Sequence, residues 1–435
     1  MTEATAPQAA AAPAATSSTR LQIPWLVKRN LALFALSQTF TGAGMQFAYG
    51  FGPLMVQVLT GSDGLAGLSV ALIAASRFLV AYPVGKITDT YGRKPGILLG
   101  LALALCGALV LGSSMLAHSS AVFVVGLLVF GMGMNAAQQM RVAATDMFPA
   151  RFRARALGYL ALGSLVGLLV SPTVINFSES YARKTGYEPL ALPWFFLPFL
   201  IVPGMILVTF VRPDPKEIGR NLAQYYPNFV SPAAQKRETE VSDFHPFELF
   251  RRMPILQGIV ANCSGQANMS IVMVLTSLIL SHHGYSLSAI AVSHVFHSAG
   301  MFAFTVPLGM LADRFGRPVV MYTGVAVALA GAALVTFTGG SYLLVTLGTF
   351  LVGLGWAGGN VASTALIADQ TRTVERGRAI GVNDSAAAFA SVTAALVTGP
   401  LIALWGLKAA GGAAVVMAVI PFLLLAYAKT RSERY

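Results

Sequence analysis

Two short segments of this 435-residue chain decide its fold: GKITDTYGRK at residues 85–94 and GMLADRFGR at residues 309–317. Each contains a glycine, an aspartate, a second glycine and an arginine in the same order, and the second copy follows the first by 224 positions. The matched residues are Gly85, Asp89, Gly92 and Arg93 in the first copy and Gly309, Asp313, Gly316 and Arg317 in the second. A fixed offset is typical of an internal repeat, so we predict that one structural unit occurs twice.

A second signature repeats at almost the same offset. It reads Asp-x6-Arg-x-Arg-Ala-x-Gly, beginning at Asp146 and again at Asp369, which is a shift of 223 residues. Two independent signatures at one offset make chance a poor explanation. The sequence therefore predicts a unit duplicated in parallel.

The composition predicts a membrane protein. Hydrophobic residues make up 55% of the chain and charged residues only 11%, and the mean hydropathy is +0.68. Segments of about 20 apolar residues are long enough to cross roughly 30 Å of hydrocarbon. We predict an all-α protein with twelve transmembrane helices in two pseudosymmetric six-helix bundles. The predicted spans lie near residues 31–59, 66–87, 96–117, 120–146, 156–178, 192–211, 255–281, 287–312, 319–339, 341–368, 379–406 and 408–428.

These spans divide the chain into five parts. Residues 1–30 are rich in alanine, proline and threonine and are expected to form a disordered cytoplasmic tail. An N-terminal bundle at 31–211 and a C-terminal bundle at 254–428 flank a polar cytoplasmic linker at 212–253, and 429–435 form a second cytoplasmic tail. Short helices are expected within 216–224, after Pro213 and Pro215.

The net charge of +12 arises from basic residues dispersed in short loops, so nucleic-acid binding receives no support. An excess of Lys and Arg marks cytoplasmic loops. We therefore predict a multi-pass membrane protein with both termini in the cytoplasm and the turn at 282–286 outside. The residues that fall on the predicted cytoplasmic side are Arg93, Lys94, Arg151, Arg153, Arg155, Arg314, Arg317, Arg372, Arg376 and Arg378.

The candidate chemistry lies in the predicted hairpin of spans seven and eight, residues 261–302. Met269 and Met273 are four residues apart, as are His297 and Met301, so each pair projects from one helix face. Counted outward from Tyr285, the two pairs lie at equal depth. Thioether sulfur and imidazole nitrogen together suit Cu(I), so these four residues are a candidate metal site. The alternative is ordinary packing, because methionine commonly fills apolar helices.

Three further histidines and two cysteines need assignment. His294 is expected either to support His297 or to face another helix. His282 and His283, at the turn, are candidates for collecting metal at the external mouth, although exposed surface histidines are the simpler interpretation. Cys106 and Cys263 form no ligand pattern and are interpreted as small buried hydrophobes.

The repeated loops resemble the signature loops of the major facilitator superfamily. The resemblance covers the whole membrane domain, and it implies two bundles that rock about a central site to give alternating access. It assigns a gating role to the repeated residues, which are Gly85, Asp89, Gly92, Arg93, Asp146, Asp313, Gly316, Arg317 and Asp369. Asp89 is expected to face a helix N-terminus or an arginine across the bundle interface.

Within that superfamily, the central hairpin resembles the CcoA-like transporters. These are bacterial copper importers marked by Met-x-x-x-Met in span seven and His-x-x-x-Met in span eight. The resemblance implies that Met269, Met273, His297 and Met301 carry copper as the transported substrate. It also implies a location in a bacterial inner membrane and delivery of the copper inward to enzymes such as cbb3-type cytochrome oxidase. A copper chaperone is an expected partner, and no permanently bound cofactor is expected. A related branch of the same group resembles riboflavin transporters.

Energy coupling has one candidate, Asp384, which is the clear carboxylate inside a predicted span and could pair with Arg141 or Arg77. Both a symporter and a uniporter remain compatible with the sequence. Rival functions are transport of riboflavin or another small organic solute, proton-coupled drug efflux, and a non-transporting membrane organiser. An enzyme is not predicted, because no phosphate loop, nucleophile constellation or zinc-ligand spacing occurs.

Overall fold

The computed structural model describes residues 23–42, 44–149, 152–226, 246–371 and 373–432. Arg151, Arg372, most of the predicted tails and the middle of the predicted linker lie outside these ranges. The described residues form helices and turns, without strands, and the predicted all-α fold is confirmed.

Nine helices in the described ranges are long and apolar enough to cross a membrane, and a tenth crossing is formed by a bent pair. Twelve spans result when the long last helix is counted as two and the two consecutive 17-residue helices at the start are counted together as one. In chain order the spans are Trp25–Thr41 with Gly44–Thr60 (span one), Gly67–Tyr91 (two), Arg93–Leu116 (three), Ser120–Ala137 with Gln139–Asp146 (four), Arg153–Thr185 (five), Leu192–Phe196 with Pro198–Thr209 (six), Met253–His282 (seven), Leu287–Ala303 with Thr305–Phe315 (eight), Arg317–Phe337 (nine), Tyr342–Asp369 (ten), and the two arms of Thr373–Ser432 (eleven and twelve). Spans one to six are the N half, and spans seven to twelve are the C half.

The last helix contains two spans because it reverses at Gly406. That residue has φ 79° and ψ 176°, which is not helical. On one side of it, Ser391 lies 2.7 Å from Ser270 of span seven. On the other side, the Ala414 carbonyl accepts a hydrogen bond of 2.8 Å from Asn268 of the same span. Both arms therefore contact span seven at nearly the same depth, at Ser270 and Asn268. Because the chain runs past this depth, turns at Gly406 and comes back, the two arms cross the bilayer separately.

Span one begins at Trp25, inside the segment predicted to be a disordered tail. Pro24 precedes it in extended conformation, and Arg29 and Asn30 both donate to the Arg212 carbonyl at 2.6 and 3.1 Å. These bonds fix the helix start against the chain that leaves span six. The boundary therefore lies several residues earlier than hydropathy indicates.

The first part of the predicted linker packs on the N half. Its helices are Pro215–Arg220 and Leu222–Tyr225, and a third short helix, Pro246–Leu249, precedes span seven. Asp214 accepts hydrogen bonds from the Arg93 and Lys94 backbone amides at 3.0 and 2.9 Å, and so caps span three. The Tyr226 hydroxyl donates to the Met147 carbonyl at 2.8 Å, and burial raises the pKa of that phenol.

The two repeated loops lie at one end of the protein, which we call the signature end; the opposite end, with the turn at 282–286, is the hairpin end. The halves meet closely toward the hairpin end. A Cβ added to Gly67 of span two would overlap the Ala395 carbonyl of span eleven, and one added to Gly399 would overlap the Gly64 carbonyl. Backbone therefore touches backbone across the interface, which closes the protein at this end.

Candidate functional site

A hydrogen bond sets the register of the hairpin formed by spans seven and eight. The Ser277 hydroxyl lies 2.9 Å from Nε2 of His294. Ser277 is eight residues before Tyr285 and His294 is nine residues after it, so residues at equal distances from the turn lie at nearly equal depth. The pair Met273 and His297, and the pair Met269 and Met301, obey the same register within one residue.

His297 is held against span ten. Its Nδ1 lies 2.9 Å from the Thr349 carbonyl, and because a carbonyl only accepts, this nitrogen carries the proton. Nε2 is thereby left with its lone pair. The Thr349 hydroxyl also lies 3.0 Å from that of Thr276 in span seven. Thr349 thus joins spans seven, eight and ten at the level of His297.

The three methionines differ in burial. Met273 is 3% exposed, whereas Met269 and Met301 are partly buried. Met269 packs against the main apolar core. The register places the three sulfurs and the imidazole within two helical turns of one another in depth along the hairpin. Their joint coordination of one ion stays a prediction.

No group of three or more His, Cys, Asp or Glu side chains suited to a metal occurs in the described ranges. The candidate set is of a different kind, since it contains three thioethers and one imidazole. A metal bound there would have neutral, soft ligands.

His294 contacts the other half of the protein as well as Ser277 of span seven. It is 1% exposed, and a Cβ added to Gly50 of span one would lie 3.1 Å from its Cδ2. Its Nδ1 has no hydrogen-bond partner. One turn further along span eight, Ser298 accepts a hydrogen bond from Gln46 of span one. Span eight therefore presents His294 and Ser298 to span one, a contact that the sequence analysis did not predict.

The two turn histidines have different partners. Nε2 of His282 lies 3.1 Å from Asp63 and 3.0 Å from the Gln57 amide, both in the N half. His283 instead lies 2.8 Å from the Ile279 carbonyl through Nδ1 and packs against Gly340. At the same end, Ser288 of span eight donates to Glu179 of span five at 3.0 Å. His282 thus helps to join the halves at the hairpin end, as does the bond between Ser288 and Glu179.

The signature loops make the same ion-pair arrangement in each half. Arg93 bonds Asp89 at 3.1 Å and Asp146 at 2.8 Å, and Arg317 bonds Asp313 and, at 3.2 Å, Asp369. Each arginine thus ties the loop to the end of a helix of its own half, span four or span ten. Asp89 therefore pairs with an arginine of its own half, and not with an arginine across the bundle interface as expected.

The loop glycines have unequal roles. Gly92 and Gly316 have φ values of 108° and 96°, which L side chains rarely adopt, so both turns require glycine. Gly85 lies inside span two with open space around it and does not form the turn. The tight turn predicted from Gly85 and Gly92 together therefore depends on Gly92.

Three charged side chains lie within the spans, and they come from both halves of the protein. Arg77 of span two is within electrostatic range of Arg141 in span four and of Asp384 in span eleven. The Arg141 guanidinium lies 5.9 Å from the centre of the Phe302 ring in span eight, and Asp384 accepts from Asn383 at 3.3 Å. Two cations from the N half therefore face a carboxylate and an aromatic ring from the C half.

Some polar residues of span seven were not singled out from the sequence. Asn262 and Asn268 are 2% and 0% exposed and line a cavity with Trp356 of span ten. The available signal was the presence of two amides within an apolar run, since polar groups inside a bilayer are costly and usually have a function or a partner.

Comparison with known proteins agrees with this architecture. The family model of the Major Facilitator Superfamily matches residues 34–296 and 258–435. The uncharacterized MFS-type transporter YdeG of Bacillus subtilis (strain 168) is 29% identical over 382 residues, covering 87% of this chain and 86% of YdeG. The riboflavin transporter RfnT of Brucella anthropi is 24% identical over 362 residues, covering 82% and 85%.

Solved structures share the fold. The crystal structure of the nucleoside transporter NupG superposes with a TM-score of 0.68 at 12% sequence identity, over 94% of this chain and 100% of NupG. The duplicated helical halves, the repeated loops and the matched family model lead to one conclusion. The chain belongs to the Major Facilitator Superfamily and is a multi-pass membrane transporter of small substrates, not an enzyme.

Proposed function

We propose that this transporter imports copper as Cu(I) through Met269, Met273, His297 and Met301. The observation that supports it best is the hydrogen bond from His297 Nδ1 to the Thr349 carbonyl. Metal-binding histidines commonly donate one ring N–H to a carbonyl, which fixes the tautomer and directs the other nitrogen's lone pair to the metal. Met273 lies at the same depth, as the hairpin register requires.

In this proposal the signature end faces the cytoplasm of a bacterial inner membrane, and both termini are inside. Copper arrives at the hairpin end while that end is open. Neutral thioether and imidazole ligands bind the ion without losing a proton. Closure at the hairpin end, through the contacts of Gly67 and Gly399, then exposes the ion to cytoplasmic thiols or a copper chaperone.

The driving force is part of the same proposal. Asp384 is the candidate coupling group, with Arg77 and Arg141 beside it. If it carries a proton during the cycle, the protein is a symporter, and Asp384→Asn abolishes accumulation against a gradient but leaves downhill uptake. If Asp384→Asn changes neither accumulation against a gradient nor downhill uptake, the protein is a uniporter, and copper binding inside the cell provides the driving force.

The copper proposal is tested by replacing each ligand without changing the packing volume. Met269→Leu, Met273→Leu, Met301→Leu and His297→Gln should each lower the copper affinity at least about tenfold. Loss of a residue that only supports a ligand already lowers metal affinity by about tenfold to 100-fold, and loss of a ligand itself should cost at least as much. Met321→Leu is the matched control, since Met321 is fully buried in span nine. The assay is radioactive copper uptake by cells, together with copper analysis of the purified protein. Uptake that stays at the control level in Met273→Leu and His297→Gln removes copper as the substrate.

A second candidate is a small organic solute, with riboflavin as the first compound to test. Arg77 and Arg141 contribute two positive charges to the middle of the protein against the single carboxylate of Asp384, and this balance disfavours a free cation. The similarity to RfnT supports the same class of solute. If excess riboflavin protects the purified protein against heat and copper does not, this candidate replaces the first.

A further inference from the structure

The C half contains a small cavity between spans seven, nine, ten and twelve. Its walls include Asn262 and Asn268 from span seven and Trp356 and Asn360 from span ten. Its empty space, counted with the open mouth, is about 280 Å³. The enclosed part has room for about one water molecule, so only the edge of a larger ligand could enter.

Three buried polar atoms at this cavity have no hydrogen-bond partner. They are Nδ2 of Asn262, Oδ1 of Asn268 and Nε1 of Trp356. Buried polar groups in proteins are nearly always bonded, and leaving one unpaired destabilises the protein. Three at one cavity indicate that a polar group from outside the chain completes the set.

Each of the two amides uses one of its polar atoms in a bond to another helix. Asn360 donates from Nδ2 to Oδ1 of Asn262 at 3.1 Å, which leaves Nδ2 of Asn262 as the free donor. Asn268 donates from Nδ2 to the Ala414 carbonyl at 2.8 Å, which leaves its Oδ1 as the free acceptor. The indole of Trp356 can only donate. The cavity therefore offers two donors and one acceptor.

The matching ligand must accept two hydrogen bonds and donate one. The imide edge of a planar heterocycle does so, because its two carbonyl oxygens accept on either side of one N–H. Trp356 is only half-buried, so the rest of such a ring could lie against the indole at the mouth. A water molecule offers the same hydrogen bonds but leaves the mouth empty.

We propose that Asn262, Asn268 and Trp356 form a binding site for the imide edge of a neutral planar heterocycle. The site uses none of the copper candidates and rests on the second candidate function. Asn268 immediately precedes Met269 in span seven, but consecutive helical residues project about 100° apart. Asn268 points to span twelve, whereas Met269 packs against the main apolar core, so the cavity and the proposed copper site lie on different faces of span seven. The ring would be held by the C half alone.

The test measures binding by quenching of flavin fluorescence, using the full-length protein in detergent with riboflavin and 3-methylriboflavin as probes. The methyl group replaces the N–H that would donate to Asn268, so we expect it to weaken binding at least about tenfold. Trp356→Phe keeps the ring but removes one donor and should weaken riboflavin binding about threefold to tenfold. Trp405→Phe is the matched control, since Trp405 lies at the hairpin end and is 68% exposed.

Asn262→Ala and Asn268→Ala provide a second set of variants, and uridine and lumichrome extend the imide probes. Loss of affinity in these variants, with the Trp405→Phe control unchanged, supports the site. Equal binding of riboflavin and its 3-methyl derivative overturns it, as does the absence of binding for every probe, which would leave water as the occupant. Uptake of riboflavin into vesicles is measured separately. Binding without uptake retains the site and removes the second candidate function.

Discussion

The closure of the hairpin end is the most direct prediction of the structure. Gly67 and Gly399 lie where span two and the loop before it cross span eleven, with no room for a methyl group against the Ala395 and Gly64 carbonyls. In the variants Gly67→Ala and Gly399→Ala, the new Cβ must displace backbone from the other half. Only the closed state contains this contact, so the substitutions should destabilise that state selectively.

The magnitude follows from the cost of overpacking. An extra methyl group in a well-packed interface costs about 1–3 kcal/mol. Such a cost shifts an equilibrium between two states by about fivefold to 150-fold. The double variant should therefore keep most molecules open at the hairpin end and slow transport. Helix propensity works in the other direction, because alanine is better than glycine in a helix, so we expect no loss of folded protein.

The assay measures distances between spin labels in the protein reconstituted in liposomes. One pair replaces Tyr187 and Trp405 at the hairpin end, and a second replaces Tyr91 and Phe315 at the signature end; all four side chains are more than half exposed. Cys106 and Cys263 are first changed to serine, since Cys106 is exposed and Cys263 only partly buried, contrary to the prediction that both are buried. We expect longer distances at the hairpin end and shorter ones at the signature end.

Gly412→Ala is the control for these variants, since Gly412 lies in span twelve with open space beside it. It should leave the distances and the transport rate unchanged. Wild-type distance distributions in the double variant, together with a wild-type transport rate, would refute the conclusion that this glycine contact closes the protein.

The remaining predictions concern single contacts. His282→Gln should weaken the pairing with Asp63 by about 0.2–1 kcal/mol, because both groups are partly exposed. The fraction of molecules open at the hairpin end should rise modestly in the same distance assay. An unchanged fraction would show that His282 does not help to join the two halves. Asp214→Ala removes the cap of span three and should lower the free energy of unfolding by about 0.5–2 kcal/mol in thermal unfolding, with Asp313→Ala, which caps no helix, as a comparison. Thr349→Val leaves the backbone carbonyl in place for His297 but removes the hydroxyl contact with Thr276. Copper affinity should therefore fall less than in His297→Gln. An equal loss of copper affinity in the two variants would show that the Thr349 hydroxyl, and not its carbonyl, positions the site.

The sequence predicted the fold because duplication and hydropathy are properties of the chain itself. The two signature loops and the long apolar segments gave the twelve-span arrangement and the family. Three details could not be predicted in this way: the helical start at Trp25, the cap supplied by Asp214, and the pairing of each loop arginine within its own half. Each depends on a contact with a residue more than 50 positions away, which local pattern does not encode.

The sequence also predicted the depth of the candidate site residues, while their binding of copper stays a prediction. Spacing of four residues put Met269 with Met273 and His297 with Met301 on single faces, and counting from Tyr285 gave their depth, because the rise of a helix converts sequence distance into length. The sequence by itself therefore determined which residues lie at one level. Only the tertiary structure decided which neighbour each side chain meets: span ten for His297, span one for His294, and a shared cavity for Asn262, Asn268 and Trp356. The physical reason is that the rotation of each helix about its axis is set by packing against distant helices, and no spacing within one helix specifies it.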